Sequence, residues 1–132
     1  MEEINLQKTR ELYSYFGAGN IPALLAALDP DIVWVNPGPS DFAYFGSHRG
    51  PEAVAKNIFG FIAENLDFQL FEPRSMLADG DEVVVLIHAE AVARKTGRRI
   101  VQDIAHAFTF REGRPVHFHD YQDTAQIAAA LR

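Results

Sequence analysis

The sequence contains no cysteine, and this absence excludes disulfide bonds, thiolate nucleophiles and cysteine-ligated zinc. It is also poor in positive charge, with 12 lysines and arginines against 18 aspartates and glutamates, a formal net charge of −6. Because nucleic-acid-binding proteins present clustered positive charge to phosphates, we expect no nucleic-acid partner. No apolar run reaches the ~18 residues of a membrane span, and the charged start has no apolar signal region. We therefore expect a cytoplasmic protein without membrane association.

What the chain does have is enough apolar volume for one folded domain. Its 132 residues are 48% hydrophobic and 11% aromatic, and ten of them are phenylalanine. Such a composition is typical of a globular protein, and this length usually makes one domain. With no repeat, linker or low-complexity segment, we expect a single domain over residues 1–132.

The order of the predicted elements indicates an α+β fold. Amphipathic or capped segments predict helices within residues 4–17, 20–28 and 51–66, with a short strand in DIVWVNPG between the last two. From residue 67 hydrophobicity alternates with a period of two, which predicts four antiparallel strands joined by glycine turns. A final short helix follows in AQIAAALR. Helices followed by an antiparallel meander form an α+β arrangement, which is able to leave an apolar cavity under the helices.

The last hairpin decides which polar residues face that cavity. Alternate residues from Gln102 to Phe110 form a bulky face that includes His106 and Phe108, and bulky apolar residues belong inside. A three-residue turn at REG pairs His106 with Phe118, and cross-strand partners share a face. The inner face of the last strand is then Val116, Phe118, Asp120 and Gln122.

The HxH motif of His117 and His119 falls on the opposite face, and we expect it to bind no metal. The two residues supply two ligands, whereas a metal site needs three or more. The other candidate ligands, His48 and His88, lie on distant segments. We interpret the motif as surface or interface, His88 as outward-facing near Asp103, and His48 as a loop cap or a gate of the cavity.

Asp120 is the candidate acid–base residue. A carboxylate that faces an aromatic, poorly solvated cavity suits proton transfer, because burial disfavours its charged form. His106, one strand away, is able to hydrogen-bond the carboxylate, polarise a substrate oxygen or share the proton. A buried Asp–His pair that only satisfies itself explains the same pattern, and the residues alone leave both interpretations open.

Five stretches of the chain resemble the SnoaL-like polyketide cyclases and ketosteroid isomerases of the nuclear-transport-factor-like superfamily. The stretches are GNIPALLAALDPDIVW, YFGSHRGPEAVAKNIFGFI, DFQLFEP, ADGDEVVVLI and FTFREGRPVHFHDYQDTAQIAAAL. Together they cover nearly the whole chain. The resemblance implies a cone-shaped, curved antiparallel sheet with N-terminal helices packed over its concave face. The superfamily contains enzymes and plain binding proteins alike, so fold does not settle function.

Two enzyme mechanisms of the superfamily do not carry over to this chain. The ketosteroid isomerase base falls on Asn36, an amide that accepts no proton at neutral pH, and the two oxyanion residues fall on Leu12 and His106. Limonene-epoxide hydrolases resemble this chain only in their second aspartate, which matches Asp120. Their arginine and first aspartate fall on an isoleucine and an alanine.

The polyketide cyclases are more similar, since they place a histidine one strand before a single acid–base aspartate, as His106 and Asp120 stand here. This resemblance implies an aldol-type cyclisation or keto–enol proton transfer on a small, largely apolar carbonyl compound, without cofactor or metal. The alternative is a non-catalytic module that binds a small hydrophobic metabolite. Expected ligand contacts are Asn36, Trp34, Tyr15, Phe59, Phe108, Phe118 and Gln122. We also expect a homodimer, formed through the small outer face of Ala105, Ala107 and Thr109 with His117, His119 and Tyr121 alongside.

Overall fold

A six-stranded sheet with helices over one face forms the fold of the computed structural model, which describes all 132 residues. Neighbouring strands follow the order β2-β1-β6-β5-β4-β3, and every pair is antiparallel except β1 with β6. In chain order the elements are α1 Glu2–Gly17, α2 Ile21–Ala27, β1 Val33–Asn36, β2 Gly46–Arg49, α3 Pro51–Val54, a π-helical turn Ala55–Phe59, α4 Gly60–Asn65, β3 Leu66–Asp79, β4 Glu82–Ala93, β5 Arg99–Arg111, β6 Arg114–Tyr121 and α5 Thr124–Leu131. This arrangement confirms the predicted α+β class. None of the helices combines the length and apolar character needed to cross a membrane.

The core lies between the helices and the inner face of the sheet. Along β4 alternate residues from Val83 to Ala93 are buried, as the period of two predicts. Two irregularities in β3, between Phe68 and Leu70 and between Pro73 and Ser75, shift its register against β4. Bulges of this kind bend a strand and increase its twist, so they help the sheet curve around the helices.

The turn between β5 and β6 differs from the predicted one and corrects the predicted register. Glu112 and Gly113 both have positive φ, 53° and 77°, and form a two-residue turn that pairs Arg111 with Arg114. A bulge one residue further along the hairpin shifts the pairing once more. His106 therefore lies opposite Asp120, and the predicted pairing of His106 with Phe118 is wrong. Because the two shifts add to two residues, Phe118 and Asp120 stay on the predicted face. The prediction for Val116 is wrong, since Pro115 lies opposite the inward-facing Phe110 and Val116 is the unpaired residue of the bulge.

The third predicted helix is interrupted by the π-helical turn. The N–H of Gly60 donates to the carbonyl of Ala55, five residues earlier, and a Cβ on Gly60 would lie 3.3 Å from that oxygen. Glycine therefore suits the tight end of this turn. π-helical turns are rare and frequently occur at functional sites, and Ile58 and Phe59 of this one face the cavity described below.

The turn that sets the β5–β6 register can be tested through its one unfavourable residue. Glu112 is the only non-glycine residue with positive φ, and asparagine tolerates this conformation better than glutamate. Glu112→Asn should therefore raise the free energy of unfolding in urea by about 0.5–1 kcal/mol, part of the strain of such a residue. Glu112→Gln removes the same charge without helping the backbone and is the control. An Asn variant no more stable than the Gln variant would contradict this account of the turn.

Candidate active site

A largely apolar cavity of about 90 Å³ lies between the sheet and the helices. Of its 25 lining residues 20 are hydrophobic, and none is lysine or arginine. Its only titratable residues are Tyr13, Tyr44, His106 and Asp120. The aromatic wall consists of Tyr13, Phe16, Trp34, Tyr44, Phe59, Phe68, Phe71, Phe108 and Phe118. Such a cavity matches a flat, uncharged molecule that meets a few polar groups at one place.

Asp120 lies at the centre of the polar groups and is only 5% exposed. Its Oδ2 accepts a hydrogen bond of 3.0 Å from the side-chain amide of Gln122. Its Oδ1 lies 3.3 Å from Nε2 of His106, yet this contact lacks the geometry of a hydrogen bond, so Oδ1 has no hydrogen-bond partner. One carboxylate oxygen is thus held in place, and the other remains free to meet a ligand.

Tyr13 completes a row of three polar side chains with His106 and Asp120. Its hydroxyl lies 2.7 Å from Nδ1 of His106, and the two rings stack with centroids 5.9 Å apart. Burial, and secondarily the charge of Asp120, raise the pKa of Tyr13 well above its ordinary value. The phenol therefore stays protonated and keeps its hydrogen for donation.

The sequence analysis missed Tyr13 and wrongly placed Tyr15 in the wall of the cavity. Tyr15 lines a separate groove beside the β5–β6 turn. The reason is helical phase: Leu12, Tyr13 and Phe16 line the cavity, so Tyr15 projects from a different side of α1. Helical spacing alone does not separate the two tyrosines, because Tyr13 lies three residues from Phe16 and Tyr15 lies three residues from Leu12.

Gln122 and Tyr44 extend the polar group on the other side of Asp120. The Gln122 amide donates both to Asp120 and, over 3.2 Å, to the Tyr44 hydroxyl. Burial first, and then the charge of Asp120, raise the pKa of Tyr44, while Gln122 and Asn36 partly counter this rise. Tyr44 therefore also remains a neutral phenol.

Strand β1 contributes polar atoms that the protein leaves without partners. Asn36 is 1% exposed, and neither its amide nitrogen nor its amide oxygen has hydrogen-bond geometry to any neighbour, although it lies beside the Tyr44 hydroxyl. Trp34 stacks on Phe118 with centroids 3.9 Å apart, and its indole N–H is also unpartnered. Buried polar groups nearly always have partners, so unpaired ones beside a cavity indicate a place for a polar ligand group or for water.

The structure brings together most of the residues that the sequence analysis selected. The cavity wall includes eight of the nine, namely Asp120, His106, Asn36, Trp34, Phe59, Phe108, Phe118 and Gln122. Their roles in catalysis or binding remain predictions.

The remaining histidines lie outside the cavity wall and contact neighbouring residues of the fold. His48 is buried, with Nε2 at 3.1 Å from the carbonyl of Tyr44 and Nδ1 at 3.3 Å from the Asn57 amide, so it anchors the loop before β2. His88 contacts Asp103 and Glu90 on the outer face of the sheet. The hydrogen bond to Asp103, followed by that to Glu90, raises the pKa of His88. His117 and His119 stack in a row with Tyr121 on that same face.

Comparisons with known proteins agree with this architecture. The family model of the SnoaL-like domain matches residues 9–118. An NTF2-like protein from Burkholderia xenovorans LB400 is 28% identical, with a TM-score of 0.89 over 100% of this chain and 98% of that one. TerC, co-crystallised with polyporic acid, is 23% identical, with a TM-score of 0.83 over 97% and 98% of the two chains. A proposed SnoaL-like polyketide cyclase from Mesorhizobium loti is 16% identical, with a TM-score of 0.71 over 88% and 97%. A search of curated proteins finds no match.

The unpaired amide of Asn36 predicts a gain in stability when it is removed. Asn36→Leu has a similar shape and eliminates two buried polar atoms without partners, so unfolding in urea should require about 1 kcal/mol more free energy. Asn57→Leu is the matched control, because it removes an amide that does have a partner, His48, and should destabilise the protein. A loss of stability in both variants would show that Asn36 is satisfied within the fold.

Proposed function

The chain belongs to the SnoaL-like domain family, and from that premise we propose that it is a cofactor-independent lyase or isomerase acting on a small, largely apolar carbonyl compound. The observation that supports this proposal most is the buried carboxylate of Asp120, which presents one free oxygen to an aromatic cavity. The reaction is an aldol-type cyclisation or a keto–enol proton transfer.

In the proposed reaction, Oδ1 of Asp120 removes a proton from the carbon next to the substrate carbonyl. The electron pair of the broken C–H bond moves into the new C=C bond, and the carbonyl oxygen becomes an enolate oxygen. The N–H groups of Trp34 and Asn36 are unpaired donors suited to stabilise that oxygen. In the cyclisation, the enolate carbon bonds to the carbon of a second carbonyl, whose π pair moves to its oxygen, and protonated Asp120 returns the proton to that oxygen. In the isomerisation, the enolate is conjugated with a C=C bond, and Asp120 returns the proton to the far carbon of that system as the carbonyl re-forms.

The distribution of charged residues in the cavity wall favours an uncharged substrate. A phosphate or carboxylate placed there would find no lysine or arginine in the wall and would lie near the carboxylate of Asp120. Burying such an anion without a counter-charge is strongly unfavourable. The nine aromatic rings of the wall instead favour a planar or polycyclic body.

A non-catalytic binding module is the second candidate, and the partners of Asp120 favour it. His106 and Gln122 already contact the carboxylate, which is what a pair serving only to satisfy buried charge would show. In that case the unpaired atoms of Trp34 and Asn36 fix the orientation of a ligand that leaves unchanged. The two candidates differ in whether Asp120 exchanges protons with the bound molecule.

Asp120→Asn separates the two candidates, because asparagine keeps the shape but accepts no proton. With 2-tetralone as probe, we expect wild-type protein to catalyse exchange of the α-protons in D2O, followed by NMR, and the variant to be slower by roughly 10²–10⁴-fold. Trp34 is the single tryptophan and lines the cavity, so its fluorescence reports binding of the same probe. The affinity of the variant for the probe should differ little from that of wild type.

The control for this experiment is Asp103→Asn, which makes the same chemical change on the outer face of the sheet. Asp103 contacts His88 and is not part of the cavity wall, so α-proton exchange should equal that of wild type. Probe bound by wild type and Asp120→Asn alike, with no exchange above the buffer rate in either, would reject the enzyme and retain the binding module.

We also propose that the protein forms a homodimer through the outer face of β4, β5 and β6. This face exposes apolar side chains, Leu86 at 43%, Val101 at 44% and Tyr121 at 55%. It also carries both signs of charge, since Arg99 lies 3.2 Å from Glu90. A two-fold contact places one surface against a copy of itself, and a face with both charge signs is self-complementary there.

Sedimentation velocity at micromolar concentration tests this assembly. We expect wild-type dimer and, for Ala107→Arg in the centre of the face, monomer, because the two-fold axis places the new charges near each other. Ala63→Arg, on the exposed side of α4, is the control and should remain dimeric. A wild-type protein that sediments as a monomer would contradict the proposal.

A further inference from the structure

The proton on the imidazole of His106 is fixed by what surrounds its two nitrogens. Nδ1 faces the hydroxyl of Tyr13 on α1 at 2.7 Å, and Nε2 faces Oδ1 of Asp120 on β6 at 3.3 Å. The other side chains whose rings contact the imidazole, Phe71 and Phe118, are apolar. Tyr44 is the one remaining titratable group of the cavity, and it bonds Gln122 instead.

The Tyr13 hydroxyl has one hydrogen to donate, and Nδ1 of His106 is its one hydrogen-bond partner. Donation into the Nδ1 lone pair requires that this nitrogen carry no proton, so the neutral ring must carry its proton on Nε2. In the opposite tautomer the hydroxyl would accept from Nδ1–H, and its own hydrogen would have no acceptor in the protein. The fact that the phenol resists ionisation keeps this arrangement intact at neutral pH.

We infer that Tyr13 is a positioning residue that holds neutral His106 in the tautomer protonated on Nε2, so that Asp120, rather than His106, takes the substrate proton. Neither ring nitrogen of His106 then offers a free lone pair. The assignment of the base rests on the proposed function, whereas the tautomer is a property of the protein alone.

Long-range ¹H–¹⁵N spectra of the histidine rings test the tautomer at pH 8 without any ligand, with His106 assigned by its loss in His106→Gln. We expect wild-type His106 to show an unprotonated Nδ1 and a protonated Nε2. In Tyr13→Phe, which keeps the ring and removes the hydroxyl, the two nitrogens should move toward averaged shifts as both tautomers become populated. A proton on Nδ1 or on both nitrogens in wild type, or an unchanged spectrum in Tyr13→Phe, would overturn the inference.

The α-proton exchange of 2-tetralone provides a second measurement, separate from the first. Tyr13→Phe should lower kcat roughly five- to tenfold, the effect of one hydrogen bond, and leave KM unchanged. Tyr15→Phe, two residues along the same helix but outside the cavity, is the control and should match wild type in both measurements. If exchange is absent in all proteins, the proposed function fails while the spectra still decide the tautomer.

Discussion

The cross-strand pair of His106 and Asp120 is the constraint on which the polar centre of the cavity depends. It exists because the short turn at Glu112 and Gly113 and the bulge that follows shift the hairpin by two residues. A shift of one residue would turn Asp120 to the outer face. The bulge is therefore part of the site. With the two-residue turn alone Asp120 would point to the outer face, and the bulge returns it to the inner face. In this register the Gln122 amide donates both to Asp120 and to the Tyr44 hydroxyl.

The cavity contains polar groups that folding alone does not require. Unpaired donors on Trp34 and Asn36 and the free oxygen of Asp120 lie in a wall that is otherwise almost wholly apolar. Each such group lowers the stability of the folded protein, because folding removes its hydrogen bonds to water and provides no protein partner in return. Residues that carry a function commonly conflict with stability in this way. The side chains that carry these atoms are nevertheless fixed, because Trp34 and Asn36 lie on a strand paired with its neighbours and Gln122 binds the second oxygen of Asp120.

The features that follow from a repeating period were predictable from the sequence, and those that follow from a single local geometry were not. Alternation along β5 and β6 placed His106, Phe118 and Asp120 on one face, and the structure has them there. The type of the hairpin turn was not predictable in the same way, because Arg111, Glu112 and Gly113 are compatible with a two-residue turn as well as with a three-residue turn. Likewise, a helix of 16 residues tells little about whether Tyr13 or Tyr15 faces a cavity until the sheet beneath it is known. The π-helical turn has no sequence signal beyond Gly60, which an ordinary helix also tolerates.

The central claim is that the cavity around Asp120 receives a flat, neutral carbonyl compound and stabilises its enol form. A crystal structure of the protein with 2-naphthol tests it most directly, since this planar molecule has the shape of the enol of a bicyclic ketone. The account predicts that the rings lie against Trp34 and Phe118 and that the naphthol oxygen is about 3 Å from Oδ1 of Asp120 or from the N–H of Trp34 or Asn36. A naphthol bound only outside the cavity, or bound inside with its oxygen directed away from all three groups, would contradict it.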